Sequence, residues 1–172
     1  MTFRVALLAL LSLVVPVAAP AAETYSEARL KAGFIANFLQ FVVWPKNSSS
    51  LTLCSFGPDR NGDMLEHLAD MAGGRGPMLG IRPVRTLSEL GGCNAVFVGR
   101  EEGSLLAGVV GTLAGRPVLI IADIEGGASL GATLSLVAIG GGRLGFDVNM
   151  TAAHAAGLQM NTRLLKLARR VH

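Results

Sequence analysis

The sequence is poor in cysteine and histidine, the two residues that most often bind zinc. Only two cysteines and three histidines occur among 172 residues. His67, His154 and His172 show no ligand spacing with one another or with the cysteines, so no metal site is expected. Charge is also scarce, because 15 Lys and Arg stand against 12 Asp and Glu. This small excess does not indicate a nucleic-acid partner or an anionic lipid surface.

Long hydrophobic runs are absent except at the start of the chain. Residues 5–18 form an apolar run whose only polar residue is Ser12. The run follows the basic Arg4, and residues 19–21 match the A-x-A cleavage pattern. The run is shorter than the roughly 20 residues that a membrane-spanning helix needs. We therefore predict a signal peptide over residues 1–21 and one exported domain over residues 22–172. An uncleaved membrane anchor is the alternative.

The two cysteines, Cys54 and Cys93, are the candidates for a disulfide. Export places an even number of cysteines in an oxidising compartment, where disulfides form and persist. Closing the loop between them would stabilise the fold by roughly 4 kcal/mol in the chain-entropy description. Two free buried thiols are the alternative.

The rest of the chain alternates between helical and strand patterns. A first helix is expected over residues 26–44, with Ser26 as its N-cap and Pro45 after its end. Residues 57–62 are expected to break the chain, and Pro83 confines its strand to a sheet edge. Further helices are expected over 63–73, 101–115 and 151–171. The last of these is broken near Gly157 and capped again by Asn161. Strands are expected over 51–56, 81–87, 93–99, 116–123, 133–139 and 143–150. This order predicts a single α/β domain of three layers, with a mixed, mostly parallel sheet and a C-terminal β-hairpin.

One glycine pattern resembles a dinucleotide-binding turn. Gly140, Gly142 and Gly145 match G-x-G-x-x-G. A phosphate-binding turn needs a helix directly after it, and the pattern here continues as a strand. A hairpin turn is therefore expected, and no nucleotide cofactor.

A second pattern resembles a hydrolase nucleophile. Ser129 lies in G-x-S-x-G, and Asp147 and His154 follow it in the chain order of an α/β-hydrolase triad. No strand directly precedes the serine and a strand pattern follows it, which is the wrong setting for that motif. We expect a loop here and no enzyme, with a small serine hydrolase that uses Ser129 as the remote alternative.

Asp123 and Glu125 follow an apolar strand, at the kind of strand end where α/β proteins often bind ligands. No Lys, His or third carboxylate lies near them in sequence, so solvated loop charges are expected. The alternative is a small-molecule-binding module that uses the loop over residues 123–127.

The first helix is apolar over a wide arc. Phe34, Phe38 and Phe41 recur on one stripe, and Trp44 follows at its end. Such a stripe normally packs into the core, but a wide one can also cover a partner surface.

Several segments together resemble the YfiR/HmsC-like family of periplasmic regulators. KAGFIANFLQFVVWP is similar to the family's aromatic-rich helix that ends in Trp-Pro, and LTLCSFGPDRNG and GGCNAVFVG are similar to its two cysteine-bearing strands. Residues 116–168 are similar to its C-terminal half, and the likeness extends over residues 25–171. The resemblance implies a Rossmann-like domain, and Cys54 and Cys93 fall where the family's disulfide lies.

The resemblance also implies action by protein contact, without catalysis or a cofactor. Family members repress a diguanylate cyclase of the inner membrane by engaging its periplasmic portion, which lowers cyclic di-GMP, exopolysaccharide output and biofilm formation. A sensor kinase can take the place of the cyclase, an outer-membrane lipoprotein can sequester the regulator, and homodimers are common. Some members carry a second cysteine pair that this chain lacks, so redox control through that pair is not expected.

A periplasmic location and a partner-binding surface follow from the resemblance and from the aromatic stripe. The residues expected to form that surface are Phe34, Phe38, Phe41 and Trp44 on the first helix, with Arg143 and Asn149 on the hairpin as a second group.

Overall fold

The computed structural model describes residues 26–45, 50–56, 58–72 and 78–172. The predicted signal peptide lies outside these residues. The helices of the described part are α1 (Glu27–Phe41), α2 (Pro58–Ala72), α3 (Leu106–Leu113), α4 (Met150–Ala155) and α5 (Thr162–Leu167). Its strands are β1 (Val42–Val43), β2 (Ser50–Phe56), β3 (Met78–Val84), β4 (Ala95–Val98), β5 (Leu119–Ala122), β6 (Leu134–Ala138), β7 (Leu144–Val148), β8 (Gln159–Met160) and β9 (Arg170–Val171). Two 3-10 turns occupy Leu87–Leu90 and Arg100–Leu105.

Seven strands form one sheet in the order β3-β2-β4-β5-β6-β7-β9. Neighbouring strands run parallel, except that β6 and β7 pair antiparallel as a hairpin. The predicted α/β domain with a mostly parallel sheet is therefore confirmed, and so is the place of Pro83 in the edge strand β3. A separate two-stranded ladder joins β1 to β8, with Val42 opposite Met160 and Val43 opposite Gln159.

Two hydrophobic cores cover the two faces of the main sheet, which makes three layers. On one face pack α1, α2 and α5, through buried residues such as Phe38, Leu68 and Leu164. On the other face pack α3 and the turn Leu87–Leu90, through Val109 and Leu90. Because successive side chains of a strand point to opposite faces, β4 and β5 are apolar at every position.

The helix predictions are right in kind but several boundaries differ. The first helix ends at Phe41 because Val42 and Val43 pair with β8. The break expected over residues 57–62 is wrong from Pro58 onwards, where α2 begins. Proline suits the first helical position, since a helix leaves the N–H groups of its first turn unpaired. The helix expected over 101–115 begins as a 3-10 turn and becomes α-helical only at Leu106.

The sequence predicts two helices in the C-terminal segment, separated by a break near Gly157, and the structure confirms both as α4 and α5 but makes them shorter. The break at Gly157 is confirmed by its φ of 67°, and Asn161 caps α5 by accepting a hydrogen bond from the Arg163 N–H at 2.9 Å. Ser26 caps α1 in the same way, accepting from the Arg29 N–H at 3.2 Å. The strands β8 and β9 were missed, because two-residue strands depend on partners that are distant in sequence.

A disulfide joins Cys54 of β2 to Cys93, two residues before β4. It therefore ties together two neighbouring parallel strands, as the sequence predicts. Both cysteines are buried. The guanidinium of Arg82 lies 3.3 Å from the Cys54 Sγ and 3.2 Å from the Cys93 Sγ, and it donates a hydrogen bond to the Gly91 carbonyl at 2.6 Å.

Cys54→Ser should lower the melting temperature, because the unfolded chain regains the entropy that a closed loop of 39 residues denies it. The chain-entropy relation gives about 4 kcal/mol for such a loop, which corresponds to roughly 10 °C for a domain of this size. Circular dichroism during heating measures the shift. Cys93→Ser removes the same bridge and should lower the melting temperature by a similar amount. Equal melting of oxidised and reduced wild-type protein would contradict a stabilising bridge.

Candidate functional site

A shallow groove of about 290 Å³ runs along the outer face of α1, where this helix meets α2. Its lining is mostly apolar and consists of Arg29, Leu30, Gly33, Phe34, Asn37 and Met71. All but one of these residues follow one another at helical spacing on α1. The opposite wall is Met71, an exposed residue near the end of α2. Of these residues, the sequence predicts only Phe34 as part of a partner surface, because the residues near it in sequence do not indicate that α2 would border the same surface.

Phe34 connects this groove to the core. Its ring centroid lies 6.0 Å from that of Phe38 and 5.8 Å from that of Phe146 on β7. Phe38 is fully buried and packs edge-on against Phe146 at 5.0 Å. A partner can therefore touch the half-buried Phe34, whereas Phe38 holds α1 on the sheet.

Phe41 and Trp44 lie at the end of α1, where both are half-buried against the core. The indole Nε1 of Trp44 donates a hydrogen bond to the Asn94 carbonyl at 3.2 Å, just before β4 begins. Between them, Val43 exposes half of its surface. This end of α1 is therefore anchored to the sheet and still presents apolar side chains to solvent.

The two hairpin residues have different surroundings. Arg143 is exposed in the turn between β6 and β7, where its backbone N–H donates to the Gly140 carbonyl at 3.2 Å. Asn149 instead caps α4, accepting from the Ala152 N–H at 2.8 Å and donating to the Ala128 carbonyl at 2.7 Å. The Arg143 side chain is therefore open to a partner, whereas the Asn149 side chain is occupied within the fold.

An ion-pair network fills the carboxyl end of β5. Asp123 is buried, and its Oδ2 lies 2.7 Å from the Nζ of Lys31 on α1. Lys31 also pairs with Glu27, and Arg100 lies 3.4 Å from Glu27 and 3.5 Å from the Oδ1 of Asp123. The expectation of a solvated charge is therefore wrong for Asp123, although Glu125 is exposed as expected. Sequence proximity could not reveal the partner, because Lys31 lies 92 positions away.

This network fastens the first turn of α1 to a strand end where α/β proteins often bind ligands. The hydrogen bond and the positive charge of Lys31 lower the pKa of Glu27 below its ordinary value. Both carboxylate oxygens of Asp123 already have cationic partners. The chain's own charges therefore occupy the position that the small-molecule alternative assigned to a ligand.

The arrangement around Ser129 does not fit a hydrolase triad. Ser129 lies on exposed turns between β5 and β6, without a strand directly before it or a helix directly after it. Asp147 is buried and accepts hydrogen bonds from Arg169, at 3.0 Å from Nε and 2.9 Å from Nη2. These bonds raise the pKa of Arg169. Asp147 thus orients an arginine, while His154 lies exposed on α4.

The glycine-rich stretch is a hairpin turn, as expected. Gly140, Gly141 and Gly142 have φ values of 81°, 61° and 69°, which favour glycine. The strand β7 follows where a dinucleotide site would need a helix.

Within residues 26–45, 50–56, 58–72 and 78–172, no group of three or more His, Cys, Asp or Glu side chains is placed to hold a metal ion. None of the helices in these ranges has the length and apolar character needed to cross a membrane.

Lys31→Ala should destabilise the fold by about 3 to 5 kcal/mol, because it leaves the buried carboxylate of Asp123 without its nearest cation. Urea unfolding measures the change. Arg100→Gln is the control, because the Arg100 side chain is 60% exposed and should contribute less than about 1 kcal/mol. If the two variants lose similar amounts of unfolding free energy, the contact between Lys31 and Asp123 stabilises the fold no more than an exposed ion pair does.

Two solved structures are similar to this chain in fold. One is the ABC domain from Streptococcus pneumonia in complex with L-Trp, with a TM-score of 0.58 and 14% identity over 85% of this chain and 62% of that one. The other is a conserved domain protein from Vibrio cholerae, with a TM-score of 0.57 and 14% identity over 84% of this chain and 60% of that one. This chain thus spans about three fifths of each structure's length, and likeness at this identity shows the fold alone.

The family comparison is more specific. The sequence profile described as YfiR/HmsC-like matches residues 28–169. This range contains the groove on α1, the disulfide, the hairpin and every member of the ion-pair network except Glu27. The chain therefore belongs to the YfiR/HmsC-like family.

Proposed function

We propose that this protein is a periplasmic regulator that represses a diguanylate cyclase of the inner membrane by protein contact. Family membership supports a regulatory role. The signal-peptide pattern at the start of the sequence supports export. The disulfide fits an oxidising compartment. Lower cyclic di-GMP, and with it less exopolysaccharide and biofilm, is the outcome of repression.

The observation that carries this proposal is the exposed apolar groove on α1. Leu30, Phe34 and Met71 offer aliphatic, aromatic and thioether surface around Gly33, where an added Cβ would meet nothing within 4 Å. Open apolar surface with an aromatic side chain at its base is typical of protein contacts. The groove is therefore the surface that we assign to the partner.

The mechanism is binding of one state of the partner in preference to another. A periplasmic regulator can change the activity of a cyclase on the cytoplasmic side only if the regulator binds one conformation of the membrane-spanning protein more tightly than another. If the active and inactive conformations of the partner are equally populated, shifting them almost fully to the inactive one takes a difference in binding free energy of about 3 to 5 kcal/mol. An interface of ordinary size can supply this difference.

The predicted surface residues take different parts in this interface. Phe34 contacts the partner directly, and Phe41 and Trp44 extend the contact towards the end of α1. Arg143 belongs to a second contact on the hairpin. The buried Phe38 and the capping Asn149 act indirectly, by holding α1 and α4 in place.

Other partners fit the same surface. A sensor kinase in place of the cyclase would be engaged in the same way. An outer-membrane lipoprotein that covers the groove would relieve repression, and a homodimer would need a surface that leaves the groove free.

A second candidate function is the binding of a small apolar metabolite in this groove. The observation in its favour is the volume of about 290 Å³, close to the lower limit for small-molecule sites. Phe34→Ala should abolish any rise in melting temperature that a metabolite panel produces. No rise with any compound would leave the protein partner as the sole occupant of the groove.

The test of the partner surface uses Gly33. Gly33→Gln should fill the groove without touching the core, since space around this position is open. In cells that lack the native gene, this variant should fail to lower cyclic di-GMP, and binding to the cyclase's periplasmic portion should weaken at least about tenfold, the loss of roughly 1.4 kcal/mol. Cyclic di-GMP is measured by mass spectrometry.

Gly33→Ala is the matched control. It adds one methyl group to an open position of a helix, so it should preserve repression and stabilise the fold by about 0.5 to 1 kcal/mol. Full repression by Gly33→Gln would remove the groove from the mechanism. Unchanged cyclic di-GMP on deletion of the gene would contradict the repressor role itself.

A further inference from the structure

The net positive charge of the chain is concentrated in its C-terminal part. Residues 1–125 contain ten Lys and Arg against eleven Asp and Glu, whereas residues 126–172 contain five against one. The small overall excess therefore conceals a nearly neutral first part and a basic end. The single acidic residue of that end, Asp147, is already paired with Arg169.

The fold gathers this charge at one edge of the sheet, opposite the edge strand β3. The hairpin turn leads into β7, and α5 leads into β9, which runs parallel to β7 as the last strand. A Cβ built at Gly145 would lie 3.5 Å from Ile139 of the turn and 3.9 Å from Arg169 at the entry to β9. The turn and the segment that follows α5 are therefore neighbours in space.

The cations at this edge are exposed and, apart from Arg169, form no ion pair within the described part of the chain. Arg143, Arg163, Lys166 and Arg170 are exposed, and none forms an ion pair with a carboxylate of the described residues. On α5, Arg163 and Lys166 lie three positions apart on one face, while Leu164 points into the core.

Isolated aliphatic side chains lie among these cations. Leu167 is 73% exposed beside Lys166, and Val171 is 49% exposed beside Arg170. We name the set Arg143, Arg163, Lys166, Leu167, Arg170 and Val171 the basic edge.

The composition of the basic edge favours one occupant over the others. A second copy docked edge to edge would bring like charges together, which disfavours a symmetric dimer here. The core of a protein interface is poor in charge and rich in aromatic anchors, and the basic edge has the opposite composition. Long cationic side chains around single aliphatic ones suit a lipid surface, which attracts charge and accepts apolar side chains without demanding a fitted shape.

We propose that the basic edge binds the surface of a membrane that contains anionic phospholipid. The cations lie against the lipid phosphates, and Leu167 and Val171 enter the boundary between headgroups and acyl chains. Attachment is reversible, because a few cations and two short aliphatic side chains give weak adhesion that salt screens. This surface is separate from the groove on α1 and shares only Arg143 with the partner contacts proposed above, and the variants that test it leave Arg143 unchanged.

Co-sedimentation with vesicles tests the proposal. The experiment uses the protein as it is processed by, and purified from, the cells that produce it. At low salt the protein should sediment with vesicles that contain phosphatidylglycerol and stay in solution with vesicles of phosphatidylcholine alone. Added salt should release it. Each cation contributes about a fivefold gain in partitioning, so Lys166→Gln should lower the partition coefficient about fivefold, and Arg163→Gln, Lys166→Gln and Arg170→Gln together by about a hundredfold.

Arg116→Gln is the matched control, because it removes one exposed cation that precedes β5 and lies outside the basic edge. It should leave partitioning unchanged, and all variants should keep the wild-type melting temperature. Equal loss in Arg116→Gln and Lys166→Gln would mean that net charge alone matters and would overturn the proposal. So would equal sedimentation with the two kinds of vesicle, or binding to soluble polyglutamate without binding to vesicles, which would assign the edge to an acidic protein.

Discussion

The packing of Phe38 against Phe146 fixes α1 on the sheet, and the candidate surface depends on that placement. The two rings meet at 5.0 Å in the core, one on α1 and the other on β7. With the buried ring fixed, Phe34 one turn earlier sits at the boundary between core and solvent. The position of α1 on the sheet therefore determines the groove, since neighbouring positions of this helix supply both the buried and the accessible aromatic side chain.

The ion pair between Asp123 and Lys31 has a complementary effect at the other end of α1. Doubly wound α/β proteins commonly bind ligands beyond the carboxyl ends of their strands. Here a strand-end carboxylate is turned towards a lysine of the chain itself at 2.7 Å. The fold thus closes part of the edge at which such proteins commonly bind ligands, and it leaves an accessible apolar surface on the outer face of α1. Such a division is consistent with the action by protein contact that we propose.

Much of this architecture follows from local sequence. The apolar strands, the hairpin at Gly140–Gly142, the caps at Ser26 and Asn161, and the edge position of Pro83 each depend on a few adjacent residues. The strands β1, β8 and β9 do not, because two residues carry no periodicity and become strands only beside a distant partner. For the same reason, the sequence could not predict that Lys31 pairs with Asp123 or that Met71 borders the groove. Phe34 and Phe38 share one stripe, so spacing alone could not tell the accessible ring from the buried one.

The short ladder between β1 and β8 has a mechanical consequence. It binds the end of α1 to the segment between α4 and α5, and the Asn161 N–H reinforces it by donating to the Phe41 carbonyl at 3.0 Å. The first helix and the last one are thus coupled by backbone bonds that bypass the seven-stranded sheet. A displacement of the end of α1 would therefore act directly on the segment that leads into α5, without passing through the main sheet.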